Sequence, residues 1–151
     1  MLIKNLFETV ILEPAQQDAD ALYIIAGFAS AAFATDCLSE FKTYSTSQRR
    51  VQLILGMTPF VPNMQAQHNA FKELANTHYP AQFECRYIIK APYVHIKAYA
   101  WYKQNAPYKG FIGSANYTRQ AFRGKQRECV EFASPVEILS TAPMKWGSDL
   151  R

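Results

Sequence analysis

Residues 93–116 read YVHIKAYAWYKQNAPYKGFIGSAN, and this stretch decides how the second half of the chain folds. Its first ten residues alternate with the period of two that is typical of a β-strand, which predicts a strand over residues 93–102. Because side chains two residues apart share one face of a strand, His95 and Lys97 should project together, about 7 Å apart. Four residues are expected on that face: Tyr93, His95, Lys97 and Tyr99.

The rest of the chain predicts alternating strands and helices. After the first stretch we expect a turn over residues 105–107, a strand over 109–112 that Gly113 ends, a short helix over 117–122 and a strand over 128–133. Upstream, apolar periodicity predicts helices over residues 2–11, 31–44 and 63–77 and strands over residues 21–26, 51–55 and 83–89. This alternation predicts a single α/β domain with a central, partly parallel sheet flanked by helices.

Length and composition fit one packed domain with an anionic partner. The chain has 151 residues, of which 49% are hydrophobic and 14% aromatic, enough to bury a real core. The net charge of +4 is small but uneven: five Lys/Arg and eight Asp/Glu precede Arg86, whereas residues 86–127 hold nine Lys/Arg and no Asp or Glu. This local excess predicts that one face binds an anion.

Cysteine usage and hydropathy favour a cytoplasmic location. Cys37, Cys85 and Cys129 are widely spaced and form no C-x-x-C pair, so we expect three small buried hydrophobes rather than a disulfide framework. The first ten residues predict a helix and not a signal peptide. No apolar stretch is long enough to span a bilayer, and we expect no membrane contact.

A group of polar residues has the chemistry needed to hold a phosphodiester and attack it. The neutral imidazole of His95 is a competent nucleophile toward phosphorus. The neighbouring Lys97 ammonium favours the neutral ring through like-charge repulsion and can bind a phosphate oxygen. Gly113 would let the backbone approach the phosphate. The Ser114 hydroxyl and the Asn116 amide can donate hydrogen bonds to it.

Two further features complete this group, and each residue also has a structural alternative. The helix after Asn116 would direct its free N–H groups at the same phosphate. Glu128 could accept a proton from the far nitrogen of the His95 ring and fix its tautomer. Taken alone, His95 could be a structural histidine, Asn116 the N-cap of a strand-to-helix turn, and Glu128 a solvated charge at a strand edge.

The order H-x-K, then G-S-x-N, then Glu128 resembles the HKD signature of the phospholipase D superfamily over roughly residues 93–132. The Asp that the signature has five residues after the Lys falls at Tyr102 and is absent. This variant is similar to the nuclease branch with one motif per chain, which includes metal-independent type II restriction endonucleases. Residues 109–122, KGFIGSANYTRQAF, are most similar to that group. The resemblance implies a mixed, partly parallel sheet and one nuclease domain over residues 1–151.

The resemblance also implies a mechanism that needs no metal and no other cofactor. Such proteins are homodimers that meet at the catalytic face, because one chain supplies only half a site. One His95 attacks the phosphate and forms a phosphohistidine, the second His95 protonates the leaving oxygen, and water resolves the intermediate. The two imidazoles would titrate as a coupled pair. Lys97, Ser114 and Asn116 would hold phosphate oxygens, and Glu128 would orient His95.

Other residues are expected to contact DNA or to be structural. Four basic residues are candidates for contacts with the nucleic-acid backbone: Arg119, Arg123, Lys125 and Arg127. The aromatic residues from Tyr93 to Tyr117 could stack on bases, but such residues are more often core or interface, which we favour for Trp101. His68 and His78 lack metal-ligand spacing, so we expect structural or surface roles for both.

These patterns predict the catalytic domain of a restriction-type DNA endonuclease, with sequence recognition in a separate domain beyond Arg151. Two alternatives stay open. A lipid phosphodiesterase would use the same chemistry, but no amphipathic membrane segment is present and the surround is basic. A catalytically silent DNA-binding or dimerisation module would keep the fold, and salt-dependent DNA binding without cleavage would select it.

Overall fold

Six β-strands form one mixed sheet in the computed structural model, which describes residues 2–44, 49–60, 63–125 and 127–141. The strands are β1 (Ala21–Ala26), β2 (Arg50–Leu55), β3 (Phe83–Tyr87), β4 (Lys97–Lys103), β5 (Ala106–Gly113) and β6 (Val130–Ala133). Their order across the sheet is β3-β2-β1-β4-β5-β6. β1, β2 and β3 run parallel, and β4, β5 and β6 pair antiparallel. The predicted α/β class with a partly parallel sheet is confirmed.

Helices cover both faces of this sheet. They are α1 (Phe7–Leu12 in π geometry, continued by Glu13–Gln16), α2 (Ala31–Tyr44), α3 (Met64–Glu73, continued by the π turn Leu74–His78), α4 (Arg119–Arg123) and α5 (Pro135–Ser140). Parallel strands need crossover connections, and α2 and α3 supply them. The first four helices pack on one face, and α5 covers β4 and β5 on the other. Within the described ranges, no helix is both long and apolar enough to cross a membrane.

The main core lies between the sheet and α2. The apolar face predicted for this helix is buried, with the side chains of Phe33, Cys37, Leu38 and Phe41. Trp101 of β4 is fully buried against Phe41, with ring centroids 5.7 Å apart, and its indole N–H donates to the Val10 carbonyl at 2.7 Å. The core interpretation of Trp101 is therefore confirmed.

The strand predicted over residues 93–102 begins only at Lys97. The preceding residues leave the sheet because the Val94 N–H donates to the Gly56 carbonyl at 3.1 Å, just beyond the end of β2. The prediction that Tyr93 shares a face with Lys97 is therefore wrong. Its ring packs against the ring of Phe60 instead. His95 and Lys97 thus lie at the start of β4 rather than inside a strand.

The hairpin between β4 and β5 also differs from the prediction. Its turn consists of Gln104 and Asn105, which have left-handed φ angles of 50° and 63°. Such a two-residue turn matches the twist of the paired strands. β5 therefore starts at Ala106, three residues earlier than the predicted strand.

Strand β1 and helix α2 have the predicted bounds, and the other boundaries shift by a few residues. The first helix starts at Phe7, after Ile3 has donated its N–H to the Val130 carbonyl at 3.0 Å. It continues through Pro14. Proline has no N–H to donate, and it lies where the hydrogen bonding changes from the π to the α pattern. β6 begins after Glu128, and α4 begins at Arg119 instead of residue 117.

Helix α5 was not predicted, although its start carries a recognisable signal. The Ser134 hydroxyl accepts a hydrogen bond from the Glu137 N–H at 3.4 Å, and Pro135 occupies the first helical position. Serine as N-cap, proline at the first position and an acid in the first turn are typical of a helix N-terminus. The helix closes the sheet face opposite α2 through Ile138.

Candidate active site

Three segments converge around Gly27, at the carboxyl end of β1. A Cβ atom at this position would lie 3.2 Å from His95 Cδ2, 3.3 Å from Met57 Cγ and 3.6 Å from Asn116 Oδ1. The topology explains the meeting point: β1 ends beside the end of its parallel neighbour β2 and beside the start of its antiparallel neighbour β4. The structure thus brings His95 and Asn116 together, and glycine leaves the room between them.

The exposed His95 ring is positioned by its neighbour Val94, which is fixed against Gly56. The Val94 N–H donates to the Gly56 carbonyl at 3.1 Å. A Cβ at Gly56 would lie only 1.9 Å from the Val94 carbonyl oxygen, so no larger residue fits without moving this backbone. The segment entering β4 is therefore held against the end of β2. This fixes the backbone from which the exposed His95 side chain projects.

The Lys97 ammonium lies against the His95 imidazole. Lys97 is only 7% exposed, and its Nζ lies 3.0 Å from Nε2 and 3.1 Å from Nδ1 of His95. A donor this close to both ring nitrogens lies over the ring face, which leaves the in-plane direction of each nitrogen open. The ammonium also donates to the His95 carbonyl at 3.0 Å. His95 and Lys97 thus project together, as predicted, although they do not share a strand.

Burial of Lys97 changes its protonation equilibrium. Desolvation lowers the pKa of the Lys97 ammonium below the ordinary lysine value of 10.5, and the Glu128 carboxylate partly offsets this effect. An ammonium with little water around it interacts more strongly with a phosphate oxygen than an exposed one does. Lys97 therefore combines a positive charge with a fixed position.

Asn116 is anchored by its carbonyl oxygen. Oδ1 accepts a hydrogen bond from the Phe28 N–H at 3.1 Å, in the segment directly after Gly27. This bond defines the orientation of the amide, because only the oxygen can accept. The NH₂ group makes no hydrogen bond within the described ranges and is free to donate to an anion. Sequence reasoning assigned Asn116 to the site but not the Gly27–Phe28 backbone that orients it.

The loop that carries Ser114 and Asn116 is tied to β4 by Tyr99. The buried Tyr99 hydroxyl donates to the Ala115 carbonyl at 2.6 Å. Its position, two residues after Lys97 on the same strand, could have indicated this role, since strand residues two apart share a face. Tyr99 therefore couples the lysine-bearing strand to the amide-bearing loop.

Glu128 and Ser114 form a second polar group. The Ser114 hydroxyl donates to Glu128 Oε2 and accepts from the Cys129 N–H at 2.8 Å. Among the described residues, the hydrogen bond to Glu128 comes from Ser114, and the expected contact with His95 is not made within one chain. Close packing against the residue before β6 requires glycine at position 113, because a Cβ there would lie 1.9 Å from the Cys129 carbonyl oxygen.

The helix after Asn116 contributes less to the site than predicted. α4 has five residues, and its N-cap is Thr118, whose hydroxyl accepts from the Ala121 N–H at 3.2 Å. The alternative in which Asn116 caps this helix is therefore wrong. The prediction that the helix begins directly after Asn116 is also wrong.

Two of the four basic candidates already have partners. Arg119 forms two hydrogen bonds with Asp36, at 2.6 and 2.9 Å, which lower the pKa of that carboxyl. The Arg123 guanidinium lies 4.1 Å from the centre of the Phe7 ring. Lys125 and Arg127 are exposed. All four side chains are exposed, and among the described residues Lys125 and Arg127 are the two without a partner.

The other two histidines contact residues outside the group around Gly27. His68 Nδ1 contacts the Tyr87 hydroxyl at 2.9 Å, and His78 pairs with Glu73 at 3.4 Å on the surface. Cys129 is exposed because it precedes β6, so the expectation of three buried cysteines is wrong. In the ranges that the structure describes, no group of three or more His, Cys, Asp or Glu side chains could hold a metal ion.

An imidazole, a buried ammonium and an amide donor converge at the strand ends of a mixed α/β sheet. Together with the order H-x-K and G-S-x-N, this arrangement defines a phosphodiesterase of the phospholipase D type. Residues 4–142 match the family described as NgoFVII restriction endonuclease N-terminal PLD domain, and the chain belongs to that family. It is therefore a nuclease domain of the phospholipase D class.

The structure of NucT shares this fold at low sequence identity, and two further solved structures match more weakly. NucT from Helicobacter pylori superposes with a TM-score of 0.55 at 10% identity, over 93% of this chain and 87% of NucT. Polyphosphate kinase from Porphyromonas gingivalis gives a TM-score of 0.49 at 11% identity, over 85% of this chain and 17% of the kinase. A mutant of yeast tyrosyl-DNA phosphodiesterase gives 0.47 at 13% identity, over 86% and 29%. No curated protein sequence matches the chain.

Proposed function

We propose that this domain cleaves DNA without a metal ion, through a phosphohistidine intermediate, at a site shared by two copies of the chain. The observation that carries the proposal is the Lys97 ammonium lying over the His95 ring, with both ring nitrogens 3.0–3.1 Å away. A group placed in this way stabilises charge on a phosphate beside the ring without occupying the lone pair that attacks. The family to which the chain belongs supports DNA as the substrate.

The proposed first step transfers the phosphoryl group to His95. A neutral ring nitrogen forms a bond to phosphorus, and the bond from phosphorus to the leaving oxygen breaks with its electron pair on that oxygen. The second His95, in its protonated form, gives its proton to that oxygen. Lys97 and the Asn116 amide bind the non-bridging oxygens, whose charge grows in the transition state, while the one hydroxyl proton of Ser114 stays on Glu128.

Water completes the proposed cycle. The second His95, now neutral, takes a proton from a water molecule, whose oxygen bonds to phosphorus as the bond from phosphorus to the first ring breaks. The released DNA strand carries the phosphate on its 5′ or 3′ end. Both rings return to their starting protonation states. The two imidazoles must differ in protonation when the substrate binds, because one attacks as the neutral ring and the other donates a proton.

The composition of the chain supports a shared site. It has three histidines, of which His68 and His78 contact Tyr87 and Glu73. A single His95 cannot both attack phosphorus and hold the proton for the leaving oxygen in the same step. A second copy across a two-fold axis would supply the missing imidazole. The Glu128 carboxylate, which Ser114 fixes, would then orient an imidazole across that axis.

The surrounding charge supports a polyanionic substrate. Residues 86–127 contain no Asp or Glu, and Arg119, Arg123, Lys125 and Arg127 follow the Asn116 loop. Backbone contacts by such residues carry no sequence information. We therefore propose that a separate domain beyond Arg151 reads the target sequence. A cytoplasmic location is part of the same proposal, since DNA is there.

The test is cleavage of supercoiled plasmid DNA in excess EDTA. Wild-type protein should cut, His95→Ala should not, and His78→Ala, which replaces an exposed histidine away from Gly27, should cut at the wild-type rate. Denaturation in alkaline SDS, in which the P–N bond of a phosphohistidine is stable, of a reaction with internally ³²P-labelled DNA should leave label on wild-type protein and none on His95→Ala. Strict dependence on Mg²⁺ would defeat the proposal, and salt-dependent binding without cutting would select the silent module.

A further inference from the structure

An aromatic pair, of which Phe60 is exposed and Tyr93 half-buried, lies in the segments next to the candidate active site. Phe60 and Tyr93 meet edge to face, with ring centroids 5.6 Å apart and planes at 88°. Phe60 keeps 58% of its surface exposed, and Ile89, in the loop before Tyr93, keeps 43%. Large apolar side chains gathered at the surface next to functional groups mark interaction sites. Neither ring has a place in the phosphoryl-transfer steps described above.

The backbone fixes this pair relative to His95. Tyr93 is two residues before His95, and two residues of chain span at most about 7 Å. Phe60 ends a short 3₁₀ turn that starts two residues after Gly56. Gly56 in turn accepts the Val94 N–H at 3.1 Å. The hydrogen bond between Val94 and Gly56 therefore joins the two loops that carry the rings. This places both rings within about one nucleotide of His95.

The charge around the pair favours a nucleic acid over a protein partner. Residues 41–72, which include Phe60, and residues 85–127, which include Tyr93, contain no Asp or Glu. Lys90 is exposed in the loop before Tyr93. Aromatic rings interleaved with basic residues along a groove are typical of proteins that stack bases while they bind phosphates.

We propose that Phe60 and Tyr93 form a stacking platform for an unpaired nucleobase next to the phosphate held at His95. This inference rests on the proposed function and deepens it, because it specifies the substrate: a strand that is unpaired or locally unstacked beside the cut. Every base has a π-face, so stacking tolerates any sequence. The platform thus fits a domain whose own contacts do not read sequence.

The experiment measures binding of single-stranded DNA in EDTA. Fluorescein-labelled oligothymidylate is titrated with full-length chain carrying His95→Ala, which prevents consumption of the DNA, over a series of salt concentrations. Phe60→Ala and Tyr93→Ala should each weaken binding by about five- to a hundredfold. The dependence on salt should keep its slope, because no phosphate contact is lost. An oligonucleotide with 2-aminopurine should be quenched by the parent and less by both variants.

Phe132→Ala is the matched control, since Phe132 is 60% exposed but lies on β6. Its binding should stay within about twofold of the parent. Three outcomes would overturn the inference: unchanged affinity in both platform variants, a salt slope that falls by about one together with the affinity, or loss of a dimer in sedimentation on Phe60→Ala, which would assign the pair to an interface between copies. Failure of the proposed function is read separately, from wild-type plasmid cleavage in EDTA.

Discussion

The buried Tyr99 hydroxyl donates a 2.6 Å hydrogen bond to the Ala115 carbonyl and so joins the strand of Lys97 to the loop of Asn116. Both partners are shielded from water, with 1% or less of their surface exposed. The two sides of the site therefore share one buried contact. Removal of the hydroxyl leaves the carbonyl without its partner, which costs the desolvation of a buried polar group.

We expect Tyr99→Phe to lower the free energy of unfolding by about 1–3 kcal/mol and to slow DNA cleavage, because the Asn116 loop loses its tie to β4. Urea unfolding and plasmid cleavage in EDTA measure the two effects. Tyr108→Phe is the control, since the exposed Tyr108 hydroxyl bonds Gln17 at 2.5 Å away from the site. It should change stability by less than about 0.5 kcal/mol and leave cleavage intact. Equal effects of the two substitutions would contradict the role of Tyr99.

The sequence predicted which residues meet better than it predicted how they meet. Strand periodicity placed His95 beside Lys97, yet residues 93–96 leave the sheet because Val94 bonds to Gly56, a contact between distant residues that no local pattern reveals. The role of Gly27 was invisible for the same reason, since it depends on three segments that the sheet order brings together. Gly113 was noticed, but packing against Cys129 explains it.

Asn116→Asp should separate anchoring from phosphate binding. A carboxylate oxygen can still accept the Phe28 N–H, so the loop should stay in place, but the substitution removes both amide donors and adds a negative charge beside the phosphate. We expect kcat/KM for DNA cleavage to fall at least about a hundredfold, with thermal unfolding nearly unchanged. Asn76→Asp, at an exposed position outside the site, adds the same charge and should retain cleavage. A fully active Asn116→Asp would remove the amide from the mechanism.

Gly27→Ala should displace the His95 ring. The new methyl group would lie 3.2 Å from His95 Cδ2 and 3.3 Å from Met57 Cγ, closer than ordinary van der Waals contact. Because small displacements of reacting groups reduce rates strongly, we expect kcat to fall about ten- to a hundredfold, with KM changed less. Adding Met57→Ala frees space on one side and should recover part of the loss. Wild-type kcat in the single variant would show that His95 does not depend on Gly27.

Arg119 and Lys125 should differ in their contribution to DNA binding. Both side chains are exposed, but Arg119 pairs with the Asp36 carboxylate, whereas Lys125 has no partner among the described residues. One phosphate contact changes the slope of log K against log salt by about 0.9. We expect Lys125→Gln to reduce the slope by about that amount. Arg119→Gln should reduce it less, because Arg119 pairs with Asp36 and its loss mainly leaves the Asp36 carboxylate unpaired. Fluorescence anisotropy over a salt series distinguishes them, and identical slopes would contradict the assignment.

The lowered pKa of Lys97 predicts an alkaline limit for cleavage. The ammonium must be charged to bind phosphate, and burial lowers its pKa below the usual 10.5, while Glu128 partly restores it. Cleavage should therefore fall with rising pH earlier than an ordinary lysine would require. Glu128→Gln still accepts the Ser114 hydroxyl but removes the charge, so the Lys97 pKa should drop further and the alkaline limb should move to lower pH.

Stability should show the opposite dependence, because the folded protein binds the Lys97 proton more weakly than the unfolded chain does. Between the folded pKa and 10.5 the unfolded state holds more protons, so this residue makes the free energy of unfolding rise with pH. Glu131→Gln, an exposed change on β6, is the control for both measurements and should leave the limb in place. An alkaline limb that does not move in Glu128→Gln, or that moves upward, would show that Lys97 does not set it.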